Sequence, residues 1–341
     1  MADRKALVYH GIPPDHCCCD QTLRILPDGE FICVFMTGGA GEPEKANYVA
    51  ICRSTDQGAT WSKPDVVKRY EDRACLLSEV MVCDSRIVVL MQTHSGHFDD
   101  WLNWTIESLD GGHSWSDPIR FDPVPRRAFI RTLYISSWGD WYLPIQSYDN
   151  VPDWQVSPLD DGSFKNPVNA VLISSNRGGD WALSGLVEPA CNWAENNVVE
   201  LSDGRLIMLI RADGIGFLRR SESVDRGRTW SPAELTDIKN PGSKFRLHRL
   251  SDGRIILIHN SQNTPKGGPA YSVRNCNTAR NPLSMWISDD DMQSWPYRRD
   301  LTAFPGMLAY PDGQVDAAEE YVHFVFDYNR HDIIYWGASL D

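Results

Sequence analysis

The sequence contains no continuous apolar run of eighteen residues, which argues against a membrane-spanning helix. Its first eleven residues lack the apolar segment of a secretory signal peptide. No two cysteines have the C-x-x-C spacing that is typical of zinc sites. These absences predict a cytoplasmic protein, or a secreted one if a leader peptide preceded this sequence.

Positive charge is also scarce. Lys and Arg number 33 against 46 Asp and Glu, so the formal net charge is −13. Such an excess repels phosphate-rich surfaces, and we expect neither nucleic acid nor a membrane as a partner.

Nine cysteines make an odd number for a disulfide framework, and three of them are adjacent at residues 17–19. We expect nine reduced thiols, as in a cytoplasmic protein.

An octet with the pattern S-x-D-x-G-x-x-W recurs along the chain. The five copies begin at Ser54, Ser108, Ser174, Ser223 and Ser288. The pattern is degraded at Asn176 and Met292. In such an octet the Asp can accept bonds from its own downstream backbone, the Gly supplies a positive φ, and the Trp ring is buried beside neighbouring strands. We therefore interpret the octets as structural turns and not as calcium loops.

Between the octets lie hairpins with tight polar turns, such as V-V-E-L-S-D-G-R-L-I-M-L-I. Six hairpins and five octets give units of about four short strands, with almost no helical periodicity. Radial repetition of four-stranded sheets is typical of propellers. The sequence thus predicts an all-β, six-bladed β-propeller in one domain, residues 1–341. The last unit lacks an octet, and the N-terminal K-A-L-V-Y-H is expected to supply its closing strand.

Charged residues lie at the ends of several hairpins. Folding residues 194–211 about Asp203-Gly204 brings Glu195 and Arg211 together at the open end of the hairpin. Arg24 and Arg131 precede other hairpin turns, and we expect them on the same face. A guanidinium matches a carboxylate with two parallel hydrogen bonds, so several arginines on one face favour an anionic substrate, a carboxylated sugar.

The octets resemble the Asp-boxes of the sialidase (neuraminidase) superfamily, and the chain resembles its bacterial exo-sialidases over essentially its whole length. The resemblance implies a glycoside hydrolase that removes terminal sialic or related ulosonic acid from glycoconjugates without a metal or another cofactor. It also implies three arginines that clamp the substrate carboxylate. Arg24 in L-R-I-L-P-D-G, Arg211 and Arg280 resemble these three, and Arg246 is a rival for the third position.

The resemblance further implies a Tyr nucleophile activated by Glu, and an Asp acid on a loop of the first blade. Tyr310 in L-A-Y-P-D-G and Glu195 resemble the first two. No Asp precedes the first octet at the corresponding place, where Asn47 stands. We predict that Glu44 supplies the acid in preference to Glu42, because it lies nearer the expected position.

Two alternatives use the same arginines. The first is a lyase or a glycosidase that acts at a uronic acid; the lyase would need Tyr or His as a base, for which His94, His97 and His248 are candidates. A non-catalytic, carbohydrate-binding propeller would bind without turnover. A product with a 4,5-unsaturated ring distinguishes the lyase from the hydrolase, and no product at all indicates the binding protein.

Overall fold

A computed structural model of the chain describes eight stretches of it. They are residues 1–13, 16–95, 100–125, 127–148, 167–188, 193–262, 280–302 and 304–341. These residues form twenty-five β-strands and no helix, and none of them could cross a membrane as a helix. The strands make six sheets, and the fold is a six-bladed β-propeller, which confirms the prediction from the repeats.

The chain divides into two compact units, each with three of the sheets. Unit 1 comprises Met1–Phe121 with Met307–Asp341, and unit 2 comprises Asp122–Gly306. The sequence-based prediction of one domain over residues 1–341 stays a prediction.

Unit 1 contains three antiparallel four-stranded sheets. The first has the order β2 (Cys18–Ile25), β3 (Phe31–Thr37), β4 (Tyr48–Ser54), β5 (Asp65–Lys68). The second has the order β6 (Ala74–Cys83), β7 (Arg86–His94), β8 (Leu102–Ser108), β9 (Ile119–Arg120). The third has the order β23 (Leu308–Val315), β24 (Tyr321–Tyr328), β25 (Asp332–Ser339), β1 (Arg4–His10). The N-terminal strand therefore completes the last sheet, as predicted.

Unit 2 contains one five-stranded and two four-stranded sheets. In the first, β10 (Ala128–Ile130) and β11 (Tyr134–Ile135) both pair with β12 (Trp141–Ser147), followed by β13 (Val168–Ser174) and β14 (Ala182–Leu183). The second has the order β15 (Asn196–Glu200), β16 (Leu206–Ile210), β17 (Phe217–Ser223), β18 (Glu234–Lys239). The third has the order β19 (Arg246–Arg249), β20 (Ile255–Asn260), β21 (Leu283–Ser288), β22 (Tyr297–Asp300).

Burial decreases from the second strand of a sheet to the fourth. Every residue of β3 and of β20 is buried, whereas β22 is mostly exposed. The sequence of a strand that is covered on both faces is a nearly continuous run of apolar residues. In unit 1, Ile32 and Val34 of the first sheet belong to the same buried cluster as Val80 and Val89 of the second. Face-to-face packing of neighbouring sheets thus forms the core.

The five octets lie in the turns that join the third and fourth strands of their sheets. In the first, Asp56 accepts hydrogen bonds from the Ser54 hydroxyl (2.8 Å) and from the Thr60 N–H (2.9 Å). Bonds from the Thr60 side chain and backbone lower the pKa of Asp56 to about 2. The degraded copies keep this geometry, because Asn176 accepts from the Asp180 N–H and Met292 adopts a φ of 64° where the pattern has Gly.

The octet glycine provides a test of this packing. Gly58 has a φ of 87°, and a Cβ there would lie 2.4 Å from the buried Tyr335 ring. Gly29 has a φ of 91°, and a Cβ there would have no neighbour within 4 Å. We predict that Gly29→Ala lowers the free energy of unfolding by about 1–2 kcal/mol, the cost of the left-handed backbone. Gly58→Ala should lose about 1–3 kcal/mol more, because the ring must shift. Urea unfolding of both variants measures the difference, and equal losses would contradict the octet packing.

Candidate active site

The hairpin of β15 and β16 places a carboxylate and a guanidinium at its open end. Glu195 immediately precedes β15 and Arg211 immediately follows β16, on the side away from the turn at Asp203-Gly204. The Arg211 N–H donates to the Glu195 carbonyl at 2.8 Å, which continues the antiparallel pairing by one step. The sequence-based placement of these two residues is therefore confirmed.

The Arg211 guanidinium, which is fully buried, bridges two carboxylates. Its Nη1 donates to Glu195 Oε1 at 2.8 Å and Oε2 at 2.6 Å. Its Nε and Nη2 donate to the two oxygens of Asp213 at 2.6 and 2.9 Å. The Asp213 pair is the bidentate fork that arginine forms with carboxylates, and its planar geometry fixes both partners.

Two further arginines surround these carboxylates. Arg131 Nη2 lies 3.7 Å from Glu195 Oε1, and Gln146 Oε1 accepts from Arg131 Nε and Nη2 at 3.1 and 3.0 Å. Arg280 is fully buried, and its Nη2 donates to the Gly242 carbonyl at 2.7 Å. We call Arg131, Glu195, Arg211, Asp213 and Arg280 the unit 2 cluster. Three cations and two carboxylates leave it one positive charge in excess, which suits an anion.

The two carboxylates of this cluster differ in their pKa. Burial opposes ionisation of both. At Glu195 the attraction of Arg211 and Arg131 outweighs burial and lowers the pKa below its ordinary value. At Asp213 burial predominates, the charge of Glu195 adds to it, and the pKa is raised. Arg131 is among the main charges that lower the pKa of Glu195, whereas at Asp213 the main favourable charges are those of Arg211 and Arg280. Glu195 is therefore ionised at neutral pH.

In unit 1, Tyr310 lies at the start of β23 in an irregular backbone. The pairing of β23 with β24 shifts between Ala309 and Asp312, and Tyr310 has a φ of 59°. Gln21 Nε2 donates to the Tyr310 carbonyl at 2.6 Å, and the side chain is buried. A non-glycine residue held at positive φ inside a packed region is typical of functional sites. The Arg330 guanidinium carbon lies 5.5 Å from the centre of the Tyr310 ring.

Arg330 was not found by sequence reasoning. It lies in the turn between β24 and β25, where Asn329 and Arg330 both have positive φ. Its Nη2 donates to Glu42, which also accepts the Cys19 thiol proton. The sequence D-Y-N-R-H-D around it has no octet or hairpin-end pattern, so nothing marked it in advance. Cys19, Asp20 and Glu42 are metal-ligand types within reach of one another, but the Arg330 pair with Glu42 disfavours a cation among them.

The prediction that Arg24 lies at the open end of its hairpin is wrong. Arg24 pairs with Ile32 and lies next to the turn of its hairpin, not at the open end. Its Nε donates to the Val80 carbonyl at 2.8 Å, its Nη1 to Asp312 at 2.8 Å, and its Nη2 to Glu79. Arg24 is only five positions before Gly29 of the turn, too few for the strand to carry it to the open end of the hairpin. Arg24 neutralises two buried carboxylates inside unit 1.

The loop that was expected to carry the acid is held by Asn47. The buried Asn47 side chain donates to the Gly38 and Gly41 carbonyls and accepts the Glu44 N–H at 2.6 Å. Glu44 is exposed, and its carboxylate accepts the Ala40 N–H at 3.2 Å. Asn47 thus has a structural role in the loop. The assignment of the acid to Glu44 stays a prediction.

The remaining candidates are distributed differently. Arg246 begins β19 and is half-buried. His94 is fully buried in β7 with its ring centre 5.1 Å from that of Trp101, and His248 is buried in β19. His97 lies outside the described residues. The seven described cysteines all have free thiols, and Cys191 and Cys276 lie outside the described residues.

Comparison with protein families decides the affiliation of the chain. The BNR repeat-like domain family matches residues 29–323. The chain belongs to this family. A sialidase of Paraclostridium sordellii is 26% identical to this BNR protein in an alignment that covers 88% of this chain and 80% of the sialidase.

Two solved structures share the fold of this BNR protein. The Hadza microbial sialidase Hz136 superposes with a TM-score of 0.74 at 16% identity over 95% of this chain. The Trypanosoma rangeli sialidase in complex with sialic acid superposes with a TM-score of 0.72 at 15% identity over 99% of this chain. This chain spans 66% and 59% of their respective lengths. At these identities the likeness shows the fold, and together with the BNR family match and the relative from Paraclostridium sordellii it supports a sialidase-like BNR propeller.

The bridging role of Arg211 can be tested within its own hairpin. We predict that Arg211→Lys lowers the free energy of unfolding by about 3–5 kcal/mol, because an ammonium cannot hold Glu195 and Asp213 together and leaves a buried charge uncompensated. The matched control is Arg205→Lys. Arg205 also bridges two carboxylates, Asp203 and Glu222, but its side chain is 39% exposed.

The control variant should lose less than about 1 kcal/mol, as exposed ion pairs do. Urea unfolding monitored by tryptophan fluorescence gives both values. Equal losses in the two variants would show that the Arg211 bridge does not hold a buried charge pair.

Proposed function

We propose that this protein is an exo-glycosidase of the sialidase type, which hydrolyses terminal sialic or related ulosonic acid from glycoconjugates. The observation that carries the proposal is the unit 2 cluster, in which three arginines surround two buried carboxylates at the end of a hairpin. Membership of the BNR family and likeness to sialidases support it. A carboxylated sugar is the anion that matches such a guanidinium group.

Arg211 and Arg280 are the proposed contacts for the substrate carboxylate. When this anion arrives, it competes with Glu195 for the Arg211 guanidinium. Loss of that attraction raises the pKa of Glu195 towards its ordinary value and makes the carboxylate a better base. Substrate binding would therefore convert Glu195 from an ion-pair partner into a proton acceptor. Arg24 is not part of this proposal, because its donors hold Val80, Glu79 and Asp312.

Tyr310 is the proposed nucleophile. A substrate with a carboxylate on its anomeric carbon repels a carboxylate nucleophile, whereas a tyrosine is neutral until it loses its proton. Glu195 would take that proton as the Tyr310 oxygen attacks the anomeric carbon. Arg330 lies over the Tyr310 ring, and its positive charge would stabilise the phenolate that leaves again when water hydrolyses the glycosyl-enzyme. Glu44 is the proposed acid that protonates the leaving oxygen.

The reaction class is tested by incubating the protein with a panel of sialosides and uronic-acid oligosaccharides and measuring product masses. The proposal expects free sialic or ulosonic acid and a shortened acceptor. A product with a 4,5-unsaturated ring would identify a lyase instead. Binding without any product would identify a carbohydrate-binding propeller.

We predict that Tyr310→Phe removes nearly all turnover, on the order of the 10³-fold or larger losses seen when an enzyme loses its nucleophile. Substrate binding should remain measurable by calorimetry, because the unit 2 cluster is unchanged. Tyr297→Phe is the control, since Tyr297 is 58% exposed on the outer strand β22. A Tyr310→Phe variant that retains most of its rate would exclude Tyr310 as the nucleophile.

A double variant tests whether Tyr310 and Glu195 act in the same step. If they do, the Tyr310→Phe, Glu195→Gln double variant should be no slower than the slower of the two single variants.

The role of Glu44 is tested by leaving-group dependence. We predict that Glu44→Gln slows hydrolysis of a natural sialoside about 10²-fold or more and has little effect on an activated aryl sialoside, whose leaving group needs no proton. Glu71→Gln, at an exposed loop glutamate of the same unit, is the control and should affect neither substrate. Equal effects on both substrates, or none, would remove Glu44 from the mechanism.

A further inference from the structure

Two histidines and an aspartate meet where the first strand joins the last. His10 ends β1 and lies directly opposite Asp332, the first residue of β25. His331 immediately precedes Asp332, and its carbonyl accepts the Gly11 N–H at 2.7 Å. A Cβ at Gly11 would lie 2.7 Å from that carbonyl oxygen and 2.3 Å from the His16 carbonyl oxygen. The backbone under the three side chains is thus closely packed and fixed in register.

The side chains bring three potential ligand atoms close together. Asp332 Oδ1 lies 2.6 Å from His10 Nδ1 and 3.0 Å from His331 Nδ1. The two imidazole rings are nearly perpendicular, with an interplanar angle of 89° and centres 6.3 Å apart. All three ligand atoms lie within 4.8 Å of one another. Each ring thus places one nitrogen beside the same carboxylate oxygen, so a single ion could be reached by all three groups after a small movement of the two exposed imidazoles.

This donor set has a definite chemical preference. Imidazole nitrogen and carboxylate oxygen are ligands of zinc and of similar first-row divalent ions, and they bind when deprotonated. Three protein ligands leave a position for water in a tetrahedral site. The site can be reached from solvent, because the His10 side chain is 62% exposed and that of His331 is 34% exposed. The Asp332 side chain is only 15% exposed, and its residue is paired within the sheet, so the carboxylate is held in place by the strands.

We propose that His10, His331 and Asp332 bind a divalent zinc ion that fastens β1 to β25. The proposed ion joins residue 10 to residues 331 and 332, and so connects the N-terminal strand to the sheet that it completes. An ion that binds the folded state alone stabilises it by mass action. Unfolding that begins with release of β1 would become less favourable as the zinc concentration rises. None of the three ligands has a role in the proposed reaction, although His331 directly follows Arg330 in the chain.

The test compares zinc binding by chelator-treated wild type, His10→Asn, Asp332→Asn and His113→Asn. His113 is exposed in an octet turn and serves as the control. By isothermal titration calorimetry, we expect the wild type and His113→Asn to bind equally. His10→Asn and Asp332→Asn should bind about tenfold more weakly or worse. The thermal midpoint should rise with zinc in the first two proteins and not in the others.

Cobalt(II) provides a readout that does not depend on stability. Nitrogen and oxygen ligands should give weak visible bands without sulfur-to-cobalt charge transfer, and these bands should vanish in His10→Asn. The proposal is overturned if His10→Asn binds zinc as tightly as the wild type, or if the wild type shows no binding. It is also overturned if the cobalt spectrum has a thiolate band that persists in His10→Asn, because the ion would then be held by cysteines.

Discussion

Buried charges must be compensated, and this constraint organises the inner strands of both units. Arg24 compensates Glu79 and Asp312, Arg211 compensates Glu195 and Asp213, and Arg330 compensates Glu42. Loss of one partner in such a group costs several kcal/mol, because the remaining charge has little access to water. The hairpins therefore have to present these side chains in a fixed register.

The Arg24 group and the unit 2 cluster differ in the net charge that they leave after compensation. In the Arg24 group, two carboxylates and two backbone carbonyls use the guanidinium donors, and the group is slightly negative. In the unit 2 cluster, Arg131 and Arg280 add positive charge that the two carboxylates do not cancel. Electrostatics thus distinguishes a structural arginine from one that can receive an anion, although both occur in similar hairpins.

Regular features of the fold could be predicted from the sequence. The octets specify their turns locally, since Asp56 bonds to residues within four positions of itself. The hairpins are equally local, and the pair Glu195 and Arg211 follows from counting residues on either side of Asp203-Gly204. The same count places Arg24 beside the turn of its own hairpin and not at the open end, so the prediction for Arg24 was wrong.

The sequence by itself determined the number of sheets, the octet turns and the placement of Glu195 and Arg211 at the open end of the β15–β16 hairpin. These depend on short-range hydrogen bonds and on the two-residue period of a strand. Tertiary structure alone decided that Arg24 pairs with Glu79 and Asp312, that Arg330 lies over Tyr310, and that His10 meets His331 and Asp332. Tyr310 lies in β23 and Arg330 in the turn after the neighbouring strand β24, whereas the other partners are between 55 and 322 positions apart in the chain, so only the packing and pairing of strands brings these side chains together.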